Sequence, residues 1–281
     1  MLLKGGPVAE VIKNEIIDMI RGRKAGGLSA PKIAIIRVGQ DPDDIAYESR
    51  IVKNCQTIGL LTEVNVLDES TDMAKLLVLL EQLNNRAEVH GIIVFRPLPS
   101  QLNLKIISEA IKPEKDIDSM SPVNLAKVFS GDKSALAPCT AEAVVELLKF
   151  YYGNLEGKNI VIVNRSLVLG KPLAMLLLSE NATVTLCHSK TKNLAEVTSK
   201  ADVVVTGIGK AKFFGDEYFS ENSIVIDVGI NFTGNKMYGD VDFEPVEHMV
   251  KDITPVPGGI GTVTSMILLR NVIKGIGLQK G

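Results

Sequence analysis

Residues 159–172, NIVIVNRSLVLGKP, constrain the fold more than any other stretch. An apolar, β-prone run is followed by polar Asn164-Arg165-Ser166. Gly170-Lys171-Pro172 then leads into a second apolar run at 173–178. That is a strand, a tight turn and a helix start, the opening of a βαβ nucleotide site. The helix N-terminus presents unpaired N–H groups and partial positive charge, which suit phosphate. The usual G-x-G-x-x-G is absent and N-R-S-x-x-x-G-K-P stands in its place, so alone the stretch reads either as a βα corner or as a nucleotide site. About 20 residues on, NAD enzymes place an acid for the ribose hydroxyl. This chain has Cys187-His188-Ser189-Lys190 there and no carboxylate. Arg165, Ser189 and Lys190 suit a 2′-phosphate instead, which favours NADP over NAD.

The chain has 281 residues, room for two domains, and 46% hydrophobic content, enough for large cores. A net charge of −2 with interspersed signs leaves no basic footprint for nucleic acid. No apolar run reaches the length of a membrane span, and the N-terminus MLLKGGPVAEV lacks a signal-peptide core. Cys55, Cys139 and Cys187 are scattered, as are His90, His188 and His248. The cysteines fit a reducing cytoplasm, and neither set has metal-site spacing.

Periodicity predicts a helix from Pro7 to Gly26-Gly27, a buried strand over 32–38 and a helix to about Ile58 capped by Asp43 or Asp44. A strand over 61–67, a helix over 71–83 capped by Ser70 or Thr71, and a strand over 91–95 follow. Helices near 104–111, 122–129 and 140–151 lead to strands over 159–163, 183–187, 202–206 and 223–228, and a last helix spans 263–276. Strands alternating with helices argue for parallel α/β sheets. Gly207-Ile208-Gly209 and Gly229-Ile230-Asn231 each follow a strand, at the carboxyl ends where open α/β sheets bind ligands. Either could merely turn the chain, but their recurrence at one edge points to a site. The loop 253–261, ITPVPGGIG, is rigid and poor in side chains.

The strings PEKDID (113–118), PCT (138–140), TVTLCHSKT (183–191), IDVGIN (226–231), GDV (239–241) and ITPVPGGIG occur in this order. Together they resemble the methylenetetrahydrofolate dehydrogenase/methenyltetrahydrofolate cyclohydrolase family over essentially the whole chain. The resemblance implies an α/β protein of two domains: an N-terminal folate (catalytic) domain, residues 1–138 plus 264–281, and a Rossmann-like NADP-binding domain, residues 139–263. It implies a cleft between them for tetrahydrofolate substrate, a homodimer, and no membrane or nucleic-acid partner. The implied reaction is hydride transfer from 5,10-methylenetetrahydrofolate to NADP, then hydrolysis of the methenyl product to 10-formyltetrahydrofolate. Positioning carries the first step and proton transfer the second. Carried over by position, Tyr47 stacks on the substrate rings and Asp118 holds the pterin, with Pro257, Gly258 and Gly259 also at the substrate. Asn164, Arg165, Ser166, Ser189, Lys190, Gly207, Ile208, Gly209 and Ile230 line the cofactor. No metal is implied.

The chain departs from the family at chemically telling places. The Tyr-x-x-x-Lys motif aligns with 47–51, so the lysine is Ile51. The glutamine before Leu-Pro-Leu-Pro is Phe95, Arg96 replaces the next leucine, and Gly-Arg-Ser is Asn164-Arg165-Ser166. Lys53 lies on another helix face and reads as a solvated charge. Hydride transfer is therefore expected to survive and hydrolysis to be weak or rerouted through Arg50, Arg96 or a water held by Asp118. Asp116 and His188 read as structural, Cys139 and Cys187 as small buried fillers, and Asp227 as a charge satisfied at a strand end. Two rival readings are a shikimate- or amino-acid-type NADP dehydrogenase on the same plan and a folate- or nucleotide-binding protein without catalysis.

Overall fold

The computed structural model describes residues 1–234 and 236–279. The chain divides into two compact units, each described separately. The first holds Val11–Lys127, Asp132–Ala137 and the chain from Leu268 on; the second holds Met1–Glu10, Val128–Gly131 and Pro138–Ile267. The expected folate segment 1–138 thus gives its first ten residues to the second unit. The Leu3 N–H donates to the Ile253 carbonyl at 2.8 Å and ties them there. Residues 280 and 281 of the expected folate domain lie outside the described residues.

The first unit is built on three parallel strands, β1 (Lys32–Val38), β2 (Leu61–Leu67) and β3 (Gly91–Val94), in the order β2-β1-β3. Ala34, Ile36 and Val38 face one side, where Leu76, Leu80 and Leu83 of α3 (Met73–Asn85) and Ile107 of α4 (Leu104–Ala110) cover them. Ile33 and Ile35 are also fully buried, so the central strand reads as a continuous apolar run, as parallel sheets require. The caps differ from the sequence expectation. Asp41, not Asp43 or Asp44, caps α2 (Pro42–Ile58), because Pro42 takes the first helical position and the Asp43 and Asp44 N–H groups donate to the Asp41 carboxylate. Asp72, not Ser70 or Thr71, caps α3; Ser70 bonds Asp68 in the preceding turn.

The 113–118 string is anchored to β3. Ile92 and Asp116 form a parallel bridge. Lys115 is buried and its ammonium donates to the carbonyls of Leu83, Asn84 and Arg86 at 3.1, 2.8 and 2.8 Å, closing the C-terminal end of α3. Burial holds its pKa below the ordinary lysine value. The buried Asp116 carboxylate accepts from the Met120 and Ser121 N–H groups and from Asn124 Nδ2, so the structural reading of Asp116 holds. α5 (Pro122–Ser130) follows this turn. Late in α10 (Ile260–Leu278), Asn271 Nδ2 donates to the carbonyls of Ile117 and Ala137 at 3.0 and 3.3 Å.

The second unit contains five parallel strands, β4 (Asn159–Val163), β5 (Thr183–Cys187), β6 (Val203–Thr206), β7 (Ile224–Asp227) and β10 (Asp252–Ile253), in the order β10-β7-β6-β4-β5. The chain steps from β4 to β5 on one side, then crosses to β6 on the other. That reversal is the topological switch point where such sheets bind ligands. Helices α6 (Cys139–Tyr152), α7 (Gly170–Ser179) and α8 (Leu194–Thr198), the hairpin β8 (Asn231–Thr233) and β9 (Lys236–Tyr238), and α9 (Phe243–Met249) complete it. The sequence reading contained neither α8, α9, the hairpin nor β10, all too short to show a period. Helix α1 (Gly5–Ala25) carries the expected stripe, with Val8, Ile12, Ile16 and Ile20 buried. Among the described residues no helix is long and apolar enough to cross a membrane.

Replacing Lys115 with Met should leave three buried carbonyls without their donor and cost about 2–3 kcal/mol of stability. A urea titration followed by far-UV circular dichroism should show a lower midpoint; an unchanged midpoint would mean these carbonyls find other partners.

Candidate active site

In the first unit α2 carries Tyr47, and a buried ion pair sets its position. Arg37 of β1 donates to Glu48 Oε2 at 2.7 Å and to the Gly39 carbonyl at 2.5 Å, which locks the helix onto the strand. One turn on from Tyr47, Ile51 is 3% exposed. Phe95 follows β3, is 4% exposed, and its ring lies 5.1 Å from the Tyr47 ring in a tilted stack. Arg50 covers the Tyr47 ring, its guanidinium carbon 5.7 Å from the centroid. Arg96 Nη2 meets Asp118 Oδ2 at 2.5 Å, a charge-assisted bond between partly exposed groups. The Ile92–Asp116 bridge explains the meeting: pairing in parallel carries 118 alongside the end of β3, next to 96. The structure therefore brings Tyr47, Arg50 and Phe95 together and pairs Arg96, the next residue along, with Asp118, while Ile51 is buried one turn on from Tyr47. The Asp118 carboxylate pairs with Arg96, a partner the sequence reading did not assign.

This group holds apolar and aromatic surface beside two arginines and one carboxylate. The arginines stay charged at any working pH, so they bind and orient but do not exchange protons. The nearby Cys55 thiol is buried and pushed up to about 12, which makes it inert.

In the second unit, register brings the expected cofactor residues into one row. Val163 pairs with Cys187 and with Thr206, and Thr206 pairs with Asp227. The loops beginning at 164, 188, 207 and 228 thus leave the same edge of the sheet. Asn164 organises the first of them. Its Oδ1 accepts from the Ser166 N–H at 2.7 Å, the Ser166 hydroxyl at 2.8 Å and the Gly170 N–H at 3.0 Å, and its Nδ2 donates to the Gly207 carbonyl at 2.5 Å. One amide thereby shapes the β4–α7 turn and pins it to the β6 loop across the switch point. A Cβ on Gly170 would run into the Asn164 carbonyl, so only glycine closes this turn. The side chains of Asn164 and Ser166 are turned to the loop itself, while Arg165, Ser189 and Lys190 are exposed at the edge. His188 Nδ1 accepts from the Lys190 N–H at 3.1 Å and shapes the β5 loop, a structural role. Cys139 and Cys187 are buried free thiols.

Asp227 is 3% exposed at the end of β7 and accepts from the N–H groups of Gly229, Asp240 and Val241 at 2.9, 3.1 and 2.9 Å. Burial still pushes its carboxyl up to about 6. Asp240, noted in the sequence only as part of the GDV string and given no role there, is 0% exposed and accepts from the Ile208, Gly209 and Lys210 N–H groups. Aspartates flanked by glycine, Gly229 and Gly239, were the available signal. Thr254 opens the Pro-Gly loop, its hydroxyl accepting from the Asp227 N–H at 2.8 Å. Gly5 N–H donates to the Gly258 carbonyl at 2.8 Å, and a Cβ on Gly5 would enter the Gly259 carbonyl. Pro257 and Gly258 are exposed, Gly259 is buried, and Gly258 holds φ +103°. Ile230 is 54% exposed. Among the described residues no group of three or more His, Cys, Asp or Glu side chains forms a metal site.

The switch-point loops, edge cations and clustered folate-unit side chains define a two-unit α/β dehydrogenase that uses a dinucleotide. Residues 3–118 match the family model for the tetrahydrofolate dehydrogenase/cyclohydrolase catalytic domain, and residues 138–280 match its NAD(P)-binding domain. The chain belongs to the tetrahydrofolate dehydrogenase/cyclohydrolase family. It is 51% identical over 276 residues to the bifunctional protein FolD of Clostridium botulinum strain Hall, covering 97% of this chain and 96% of that protein. The crystal structure of the bifunctional enzyme FolD from Campylobacter jejuni superposes with TM-score 0.95 at 38% identity, covering 99% of each chain. The Trypanosoma brucei enzyme, solved with NADP cofactor and inhibitor, has TM-score 0.93 at 30% identity over 100% of this chain and 98% of its own. Shikimate dehydrogenase from Aquifex aeolicus shares only the fold, at TM-score 0.53 and 13% identity over 89% of this chain and 92% of its own. The shikimate-type reading is thereby set aside.

Asn164→Ala should raise the KM for the dinucleotide by about tenfold, the scale of losing one or two net hydrogen bonds, with the folate KM little changed. Equal loss in both constants would show that the Asn164 amide serves the fold rather than the edge.

Proposed function

We propose that this chain oxidises 5,10-methylenetetrahydrofolate with NADP and that its hydrolytic activity is weak. The observation that carries the second half is that Ile51 and Phe95 are both buried apolar side chains, Phe95 stacked on Tyr47. NADP, when bound, accepts the hydride. The protein's share of that step is to bind, align and keep water out. Loss of hydride leaves positive charge across the bridge between two nitrogens. Asp118 anchors the pterin, with Arg96 orienting its carboxylate.

Hydrolysis asks for more. A proton has to leave the attacking water and another has to reach a ring nitrogen, and such transfers are worth about 10²–10⁴-fold. Ile51 and Phe95 offer no titratable or hydrogen-bonding atom where relatives place lysine and glutamine. Arg50 and Arg96 cannot take the proton.

On the dinucleotide unit, Arg165, Ser189 and Lys190 hold the 2′-phosphate. The exposed edge side chains fit that group: two cations and a hydroxyl at the ends of β4 and β5, with no carboxylate at 187–190 to favour a bare ribose. Gly207, Ile208, Gly209 and Ile230 line the remainder. We also assign the protein to the cytoplasm as a homodimer. Three buried free thiols suit a reducing compartment. The free edge strand β5 exposes Leu186 at 38%, and neighbouring α7 exposes Leu178 at 51%.

A paired assay tests the catalytic reading. With 5,10-methylenetetrahydrofolate and NADP, the wild-type protein should form NADPH while the methenyl product accumulates and decays at its uncatalysed rate. Ile51→Lys combined with Phe95→Gln should raise hydrolysis by about 10²-fold. Wild-type turnover in which the methenyl product never accumulates would refute the hydrolytic half, and no NADPH would refute both and revive the binding-protein reading. Leu186→Lys should shift the species seen by light scattering from dimer to monomer; an unshifted dimer would place the interface elsewhere.

A further inference from the structure

The loop 207–210 resembles a phosphate cradle, yet its amides already hold an anion. The Ile208 and Gly209 N–H groups donate to Asp240 Oδ2, the second at 3.1 Å, and the Lys210 N–H donates to Oδ1 at 2.8 Å. Asn231 Nδ2 adds a fourth donor at 2.9 Å. Successive N–H groups converging on one anion form a nest, and here the chain supplies that anion from a fully buried side chain. Asp240 is itself held one step deeper, because its own N–H and that of Val241 donate to Asp227. Packing fixes both carboxylates closely: a Cβ on Gly229 would enter the Asp240 carboxylate, and one on Gly239 would enter that of Asp227.

Two consequences follow from peptide geometry and charge. A trans peptide points its C=O opposite to its N–H. With the 209 and 210 amides turned to Asp240, the carbonyls of Ile208 and Gly209 face away from it. With the 208 amide turned the same way, the Gly207 carbonyl meets Asn164 Nδ2. The outward face of this loop is therefore an acceptor surface backed by a negative charge. It repels phosphate and matches an N–H₂ donor. Strand order gives that donor an identity. The 2′-phosphate side belongs to β5, on one flank of β4, and β6 and β7 lie on the other flank, which takes the nicotinamide half.

We propose that Asp240 is a positioning residue for the nicotinamide half of the cofactor, an internal anion that turns the 207–210 loop so that its carbonyls receive the carboxamide. The proposal rests on the reading of this edge as the dinucleotide site.

The test is isothermal titration of the full-length protein with NADP and, separately, with adenosine 2′,5′-bisphosphate, which has the 2′-phosphate but no nicotinamide. Asp240→Ala should raise the NADP Kd by about tenfold or more and leave the bisphosphate Kd unchanged. Sodium formate, a small carboxylate able to refill the nest, should restore NADP affinity in Asp240→Ala and not alter the wild type. Asp240→Asn keeps the shape and one acceptor, so it serves as the second variant if Asp240→Ala fails to fold, and it should lose NADP affinity alone. Equal weakening of both ligands in either variant would overturn the proposal in favour of a general folding role, as would no weakening at all. A wild-type protein that binds neither ligand would overturn the edge reading itself, and the proposal with it.

Discussion

Satisfying buried backbone N–H groups with a carboxylate at the end of β7 is the constraint on which the dinucleotide edge depends. A parallel sheet leaves its strand ends with amides that have no ladder partner, and where they are buried each needs an acceptor. Asp227 answers for Gly229, Asp240 and Val241; Asp240 then answers for the next loop along. Asn164 does the same for the first turn and reaches the β6 loop with its other end. Three short polar side chains thus convert flexible, glycine-rich connections into fixed surfaces. Glycine at 170, 229 and 239 is the steric counterpart: each carboxylate or carbonyl sits where a Cβ would be. The pull of burial on Asp227, up to about 6, measures how far this carboxylate has been taken from water.

The folate unit solves a different problem. Its reactive group has to present flat apolar surface to a ring system and one carboxylate to hold it. Arg37 and Glu48, paired beneath α2, fix the helix that carries Tyr47, and Phe95 sets the tilt of the tyrosine ring. Arg96 restrains Asp118 from the other side. The two departures from the family at 51 and 95 are mutually consistent. Both side chains are buried, and Phe95 packs on Tyr47. The pair reads as one change of chemistry.

Much of this was legible in the sequence, for reasons that mark its limits. β1 and β4 are visible because a strand buried on both faces is a continuous apolar run, and α1 because its stripe repeats every three to four residues. The row of loops at the β4–β7 ends follows from strand ends marked by polar residues after β4 and β5 and by glycine after β6 and β7. The caps at Asp41 and Asp72 were misplaced by one to three residues, since several adjacent side chains have cap chemistry and only the path of the chain selects among them. Asp240 was not legible at all. Its partners lie about 30 residues back, and no local pattern reveals a carboxylate turned inward to backbone amides. The Arg96–Asp118 pair escaped for a similar reason: it exists because Asp116 bridges to Ile92, a long-range contact.

The two units also explain why one activity can be lost without the other. Hydride transfer moves no proton between protein and substrate, so its demands fall on surfaces: ring faces in the first unit and anchored loops in the second. Those surfaces rest on the buried groups Arg37, Asp116, Asp227 and Asp240 and on the half-buried Asn164. Hydrolysis depends on a single group whose protonation changes, held where the one-carbon bridge is bound. Under the function proposed above, Ile51 and Phe95 stand where that group would be, apart from the supports beneath the surfaces. Shared architecture with separate chemical requirements lets a bifunctional fold shed its proton-transfer step and keep its geometry for hydride transfer intact.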